Sequence, residues 1–457
     1  MADKAQRDAS PDLAGALRAA ALAGLIAFGL FLPLIGFNTV QNIRNDLVLE
    51  TRWPLLTALV ALVAAGRFLQ MLVIAPALAR RARRPPSVRV ERLRTVLGRF
   101  GTPAVITFVI VYPVAAILIV GFGGAAKWID NFGIQILIYV LLGWGLDIVI
   151  GLAGLLALGY VAFFAIGAYT VALLGKAFGL SFWMLLPLAG LSAAICGALL
   201  GFPVLRLRGD YLAVVTLAFG EIIRLVAINW VALTNGYAGV SGIPRPTLFG
   251  IPLTAGEDGF AARFGLEFSP LHRLIFLYYI VLIAVFATAV IVNRLRRLPI
   301  GRAWEALRED EIACRSLGIN TTNSKLTAFA IGALFGGLAG AFFTARQGFI
   351  SPESVNFNES ALILAIVVLG GMGSQFGVAI AAVVIIGGTE LLRELDLLKQ
   401  VFGAEFDPSQ YRMLLFGFAM VAIIVWKPRG LIGTRQPTVV LKERKAISVA
   451  LAREGHG

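Results

Sequence analysis

Apolar runs of membrane-spanning length recur along almost the whole of this sequence, and that pattern leaves few folds open. An α-helix needs about 20 apolar residues to cross a hydrocarbon core of about 30 Å. The bilayer offers backbone groups no hydrogen-bond partner, so each span must close its own bonds. The expected fold is therefore all-α, a polytopic integral membrane protein with about 10–12 transmembrane helices. The candidate spans are 17–37, 54–79, 102–123, 132–151, 156–175, 182–205, 211–232, 274–293, 326–345, 360–372, 378–392 and 413–426. Spans 360–372 and 378–392 are short, and the turn Gly370-Gly-Met-Gly-Ser-Gln-Phe-Gly377 between them suits a re-entrant pair. The Gly151–Gly159 junction suits a broken helix.

Composition agrees: 58% of residues are hydrophobic and 14% charged, against about 25% charged in soluble domains. The net charge of +14 admits nucleic acid or a membrane surface as partner. Its distribution argues against nucleic acid, because the arginines stand in blocks between apolar runs. Residues 80–99 hold eight arginines, and segments 293–325 and 427–457 hold seven basic residues each. With twelve spans these blocks and both termini share one side, which the positive-inside rule places in the cytoplasm. His272 and His456 are isolated and Cys196 and Cys314 lie in unlike segments, so no metal site, cofactor or disulfide is expected. The polar N-terminus shows no cleavage pattern for a removed signal peptide. The expected organisation is an extension over 1–101, with two spans and an Arg-rich linker, a core over 102–433 and a basic tail over 434–457.

Chemistry concentrates at three places. Glu221 and Arg224 lie mid-span at i, i+3 on one helix face. A lone charge there costs roughly 2.5–3.5 kcal/mol, so they form either a structural ion pair or a polar lining of a substrate path. Asp147, Gly151 and Gly154 mark the second place. Small residues there permit close helix packing, and a helix break would expose N–H groups to a carboxylate. The third place is the loop 294–325. Residues 303–308 are good helix formers, with Trp304 and Leu307 on one side. Glu309, Asp310 and Glu311 suit the start of a second short helix, and Gly318 suits its stop. Acids alternate with Arg302, Arg308 and Arg315, which fits a protein groove better than an anionic lipid surface. No phosphate-cradling loop is present, since Thr170 stands where Gly175-Lys176 would need its glycine.

These segments resemble the permeases of branched-chain amino-acid ABC importers, in particular the larger, LivM type. The resemblance rests on Gly151-Leu-Ala-Gly-Leu-Leu-Ala-Leu-Gly159, Phe163-Phe-Ala-Ile-Gly-Ala-Tyr-Thr170, Leu205-Arg-Leu-Arg-Gly-Asp-Tyr-Leu-Ala213 and Phe219-Gly-Glu-Ile-Ile-Arg224. It continues through the loop 301–318, Arg346-Gln-Gly-Phe-Ile-Ser-Pro-Glu-Ser354 and Val368-Leu-Gly-Gly-Met-Gly-Ser374. It implies an inner-membrane subunit that imports leucine, isoleucine and valine. Its implied partners are a second permease, two ATPase subunits and a periplasmic binding protein. Glu311, Ala313 and Gly318 resemble the Glu-Ala-Ala…Gly pattern of the loop that docks on the ATPase, with the glycine one residue late. Similar permeases import urea and short amides. An ion-coupled secondary transporter would instead use Glu221, Arg224 or Asp147 as its ion site. No nucleophile–base arrangement points to an enzyme.

Overall fold

The computed structural model describes residues 13–32, 36–41, 47–74, 88–204, 210–248, 250–254, 256, 259–265 and 268–394, with positions 417, 421, 430 and 431. The candidate span 413–426 lies almost wholly outside them. The chain divides into two compact units, Met1–Ile106 and Thr107–Gly457.

The first unit pairs helix α1 (Leu13–Phe31) with α2 (Trp53–Leu69). Between them runs an antiparallel hairpin, β1 (Phe37–Gln41) on β2 (Leu47–Thr51), with Phe37 opposite Thr51. Its valines and threonines favour extended backbone. Helix α3 (Val88–Lys127) begins within the Arg-rich segment read above as linker, and it bends at Gly121, whose φ is 79°.

In the second unit, α4 (Ile136–Asp147) is flanked by wider π turns over Trp128–Gln135 and Ile148–Leu152. There follow α5 (Val161–Phe178), α6 (Phe182–Val204), α7 (Asp210–Asn229) and α8 (Pro270–Arg297). Two short helices, α9 (Pro299–Glu309) and α10 (Glu311–Ser316), precede the long α11 (Thr321–Gln347). The described chain closes with α12 (Phe357–Gly370) and α13 (Gln375–Ala382), the latter running on through a π turn to Glu394. Among the described residues six helices are long and apolar enough to cross a membrane.

Helix α11 packs on α4, α5 and α6 together. Its small residues explain how one helix serves three neighbours. Gly332, Gly336 and Gly340 fall every four residues on one face, where a Cβ would strike Val149, Tyr160 and the Phe164 carbonyl respectively. Gly337 lies on the next face, against Ala193 and the Ala189 carbonyl of α6. In lipid such close backbone approach replaces the hydrophobic drive that water would supply. An ion pair from Arg346 Nε to Asp130 Oδ1, 2.7 Å, ties the end of α11 to the turn before α4. At that same end β3 (Val240–Ser241) pairs antiparallel with β4 (Phe349–Ile350).

Candidate functional site

Helix geometry fails at Leu152 and resumes only at Val161, so residues 153–160 form a non-helical passage between two buried helices. Such backbone is tolerated at depth only where its polar groups find partners. Here they do. Leu158 N donates to Thr216 Oγ1 of α7 at 3.0 Å, and Val161 N donates to Ser360 Oγ of α12 at 3.0 Å. The Tyr160 hydroxyl donates to the Gly332 carbonyl at 2.7 Å. Gly159 rests directly on the Thr216 carbonyl, where no side chain would fit.

Helix α12 is the second interruption. Its 14 residues span about 21 Å, less than the bilayer core. Asn356 caps it by accepting from Glu359 N, and the Glu359 carboxylate accepts from the Tyr139 hydroxyl at 2.7 Å. The chain then turns through Gly371 and Gly373, both at positive φ, and Ser374 caps α13. Two short apolar helices thus flank the glycine turn.

A small open concavity of about 20 Å³ lies where these interruptions meet α7; Gly159, Val161, Gly220, Glu221, Phe357 and Ser360 are among its walls. Glu221 and Arg224 are joined by a two-point contact, the shortest arm 2.6 Å from Arg224 Nη2 to Glu221 Oε1. Their side chains remain 41% and 25% exposed. The acid of the pair faces the concavity that begins where the broken passage ends.

Asp147, Gly151 and Gly154 go elsewhere. Asp147 is 3% exposed, and its Oδ1 accepts from Gly373 N at 2.7 Å. Gly151 leaves room for that carboxylate, and its own carbonyl accepts from Arg308 Nη1. Gly154 has φ of 70° and presses on Arg308, so a Cβ there would lie 2.8 Å from Arg308 Cγ. Arg296 Nη1 donates to the Gly373 carbonyl at 3.2 Å, and both guanidiniums act electrostatically on Asp147. Sequence reasoning placed Arg308 on the outer loop; the structure turns it inward onto the helix break. It counted Arg296 only as a topology charge and singled out neither Ser360 nor Thr216.

The loop is built as two capped helices. Trp304 is fully buried, and its Nε1 donates to the Ser324 carbonyl at 2.9 Å and to Thr327 Oγ1 at 3.2 Å. It anchors α9 to α11 and offers no surface to a partner. Asp310 ends α9 with extended backbone, and its Oδ1 accepts from Ile312 N and Ala313 N to start α10. Glu311 accepts from the buried Lys325 at 2.9 Å and from Arg315 at 3.2 Å. Gly318, at φ of 80°, lets the chain turn away. Arg302, Glu309, Asp310, Ala313 and Gly318 are exposed. So are Ile312 at 67% and Leu317 at 80%, two apolar side chains that the sequence reading did not single out. Burial, with the Asp310 and Glu311 carboxylates, pushes the Cys314 thiol up. A raised thiol holds less thiolate at a given pH, and Cys314 is 3% exposed, so it should alkylate more slowly than a free thiol at pH 8. Peptide mass spectrometry after iodoacetamide pulses measures this. No group of three metal-ligating side chains occurs among the described residues.

The profile of the family described as branched-chain amino acid transport system / permease component matches residues 128–424, and a domain of unknown function matches 15–112. The chain is 54% identical over 315 residues to the high-affinity branched-chain amino acid transport system permease protein LivM of Salmonella typhimurium, covering 68% of this chain and 71% of that protein. The LivM protein of Escherichia coli is 53% identical over the same lengths. The smaller permease protein LivH of Escherichia coli is 24% identical over 305 residues, 65% of this chain and 91% of LivH. No solved structure matches.

Proposed function

We infer the working of this chain from one premise: it belongs to the family of branched-chain amino acid transport system permeases. It is a multi-pass membrane permease of an ABC importer. We propose that it carries leucine, isoleucine and valine inward past the concavity beside Glu221, powered by separate ATPase subunits.

The observation that carries this path is the meeting of a broken helix, a short helix and a mid-span acid at one concavity. A branched-chain amino acid is a zwitterion with an apolar tail. Glu221 suits the ammonium, and Val161, Leu217 and Phe357 suit the tail. Those apolar walls favour aliphatic amino acids over urea. A binding protein would supply the affinity, so weak contacts suffice along the path. The assembled complex decides the cargo: its ATPase rate should rise with binding protein loaded with leucine, isoleucine or valine. Stimulation by a urea- or amide-loaded binding protein in their place would contradict the assignment.

The same acid bears on the second permease. Tyr211, Val214, Ile222, Leu225 and Val226 form an exposed stripe on α7, next to the half-exposed Glu221–Arg224 pair. Facing lipid, each charge would cost roughly 2.5–3.5 kcal/mol. A second permease covering this stripe removes that cost and places the path at the seam. A cysteine at Ile222 should then cross-link to the second permease in membranes. Cross-linking to lipid-soluble probes alone would contradict it.

The loop of α9 and α10 is the proposed ATPase dock, with Ile312 and Leu317 as the apolar contacts among exposed acids. The Arg-rich segments and both termini are assigned to the cytoplasmic side on the positive-inside rule.

A further inference from the structure

Four elements converge on Asp147. They are the end of α4, the broken passage after it, the glycine turn between α12 and α13, and the end of α9. A carboxylate nine-tenths buried or more costs several kcal/mol unless it is paired and bonded. Asp147 meets that condition with a backbone N–H from Gly373 and the charges of Arg296 and Arg308. The pairing is unusual in its reach, because the two arginines do not simply neutralise the acid. Each spends a donor on a backbone carbonyl where regular α-helix is interrupted: Arg308 on Gly151 in the π turn, Arg296 on Gly373 in the glycine turn. The first segment leads on to Gly159 at the concavity, and the second follows α12, whose residues Phe357 and Ser360 line it.

Arg308 is also the last cationic side chain of α9, one residue before the helix ends and two before the Asp310 cap. Its backbone packs against Gly154, 3.1 Å from the position of a Cβ there. Helix α9 is itself fixed to α11 through Trp304. A displacement of α9 therefore reaches the broken passage through one side chain and one close backbone contact, with no compliant linker between.

We propose that Arg308 is a positioning residue that transmits movement of the α9–α10 loop to the helix break at Gly151–Gly154, with Asp147 holding its guanidinium in register. This rests on the reading of that loop as the ATPase dock. Coupling of this kind needs a contiguous physical connection with two arrangements, one for each state of the motor. The glycines at 151, 154 and 373 supply backbone that can change arrangement without side-chain obstruction.

The test uses the complete complex, with second permease, ATPases and leucine-loaded binding protein, in proteoliposomes. Arg308→Ala should retain ATPase co-purification while leucine transported per ATP hydrolysed falls roughly 5- to 30-fold, the span of 1–2 kcal/mol of lost coupling. Arg308→Lys should show the same fall, since lysine lacks the planar guanidinium fork whose Nη1 reaches the Gly151 carbonyl. A wild-type ratio in either assembled variant overturns the proposal. So does failure of both to assemble, which would make Arg308 a folding residue. Ile312→Asp separates this from the docking assignment. It should lose ATPase co-purification, and retention there would count against the dock, a different readout from the transport ratio.

Discussion

Trp304→Ala is expected to strip the ATPase subunits from the complex while leaving the membrane helices in place. The indole is fully buried at the junction of α9 and α11 and donates to Ser324 and Thr327. Removing a buried aromatic of this size costs about 3–5 kcal/mol, and here the loss falls on a junction, not on the bundle. Helix α9 has few other anchors: Leu307 and Gly301 are buried, and Arg308 bonds to Gly151. Co-purified ATPase should drop at least ~10-fold, while the amount of membrane-inserted subunit changes within about twofold. Trp304→Phe keeps most of the ring and loses only the N–H bonds, worth ~1 kcal/mol. It should retain most of the ATPase. Normal co-purification by Trp304→Ala would show that the loop does not depend on this anchor.

Glu221→Ala carries the second large effect. It leaves Arg224 mid-span without the acid that it grips at 2.6 Å, at a lone-charge cost of roughly 2.5–3.5 kcal/mol. The amount of folded subunit should fall severalfold. The double variant Glu221→Ala, Arg224→Leu removes both charges and should restore that amount. Its leucine uptake should nevertheless stay at least ~10-fold low, because the concavity then has no acid for the ammonium. Comparing folded subunit with uptake in both variants separates the two roles that the sequence left open for this pair. Full uptake by the double variant would reduce Glu221 to a packing residue.

What the sequence revealed follows from repetition. Membrane helices announce themselves by residue after residue of apolar side chains, and the loop helices by caps such as Asp310 at fixed offsets. The break near Gly151 and the turn near Gly371 were legible as candidates because a glycine cluster in an apolar run marks either close helix packing or interrupted backbone. The pairings across the chain were not legible. Asp147 bonds to a backbone N–H 226 residues away, and Val161 to a hydroxyl 199 residues away. A single serine or backbone amide carries no periodic signal. Asp147 and Gly151 lie apart from Glu221 because α4 ends beside α9 whereas α5 begins beside α7, a separation that no spacing in the sequence states. Trp304 and Arg308 read as parts of the docking loop, since an amphipathic helix of 11 residues does not state which face its neighbours will cover.

The central claim is that this subunit conducts apolar amino acids and draws its power from ATPases that it docks. Radiolabelled leucine uptake into proteoliposomes tests it most directly, comparing this chain alone with the assembled importer, each with internal or external ATP and with an uncoupler. The account predicts no concentrative uptake by the chain alone. The complete importer should take up leucine in proportion to ATP hydrolysed and without loss when the ion gradient collapses. Concentrative uptake by the chain alone, or uptake by the complex that vanishes with the ion gradient while ATP remains, would contradict it.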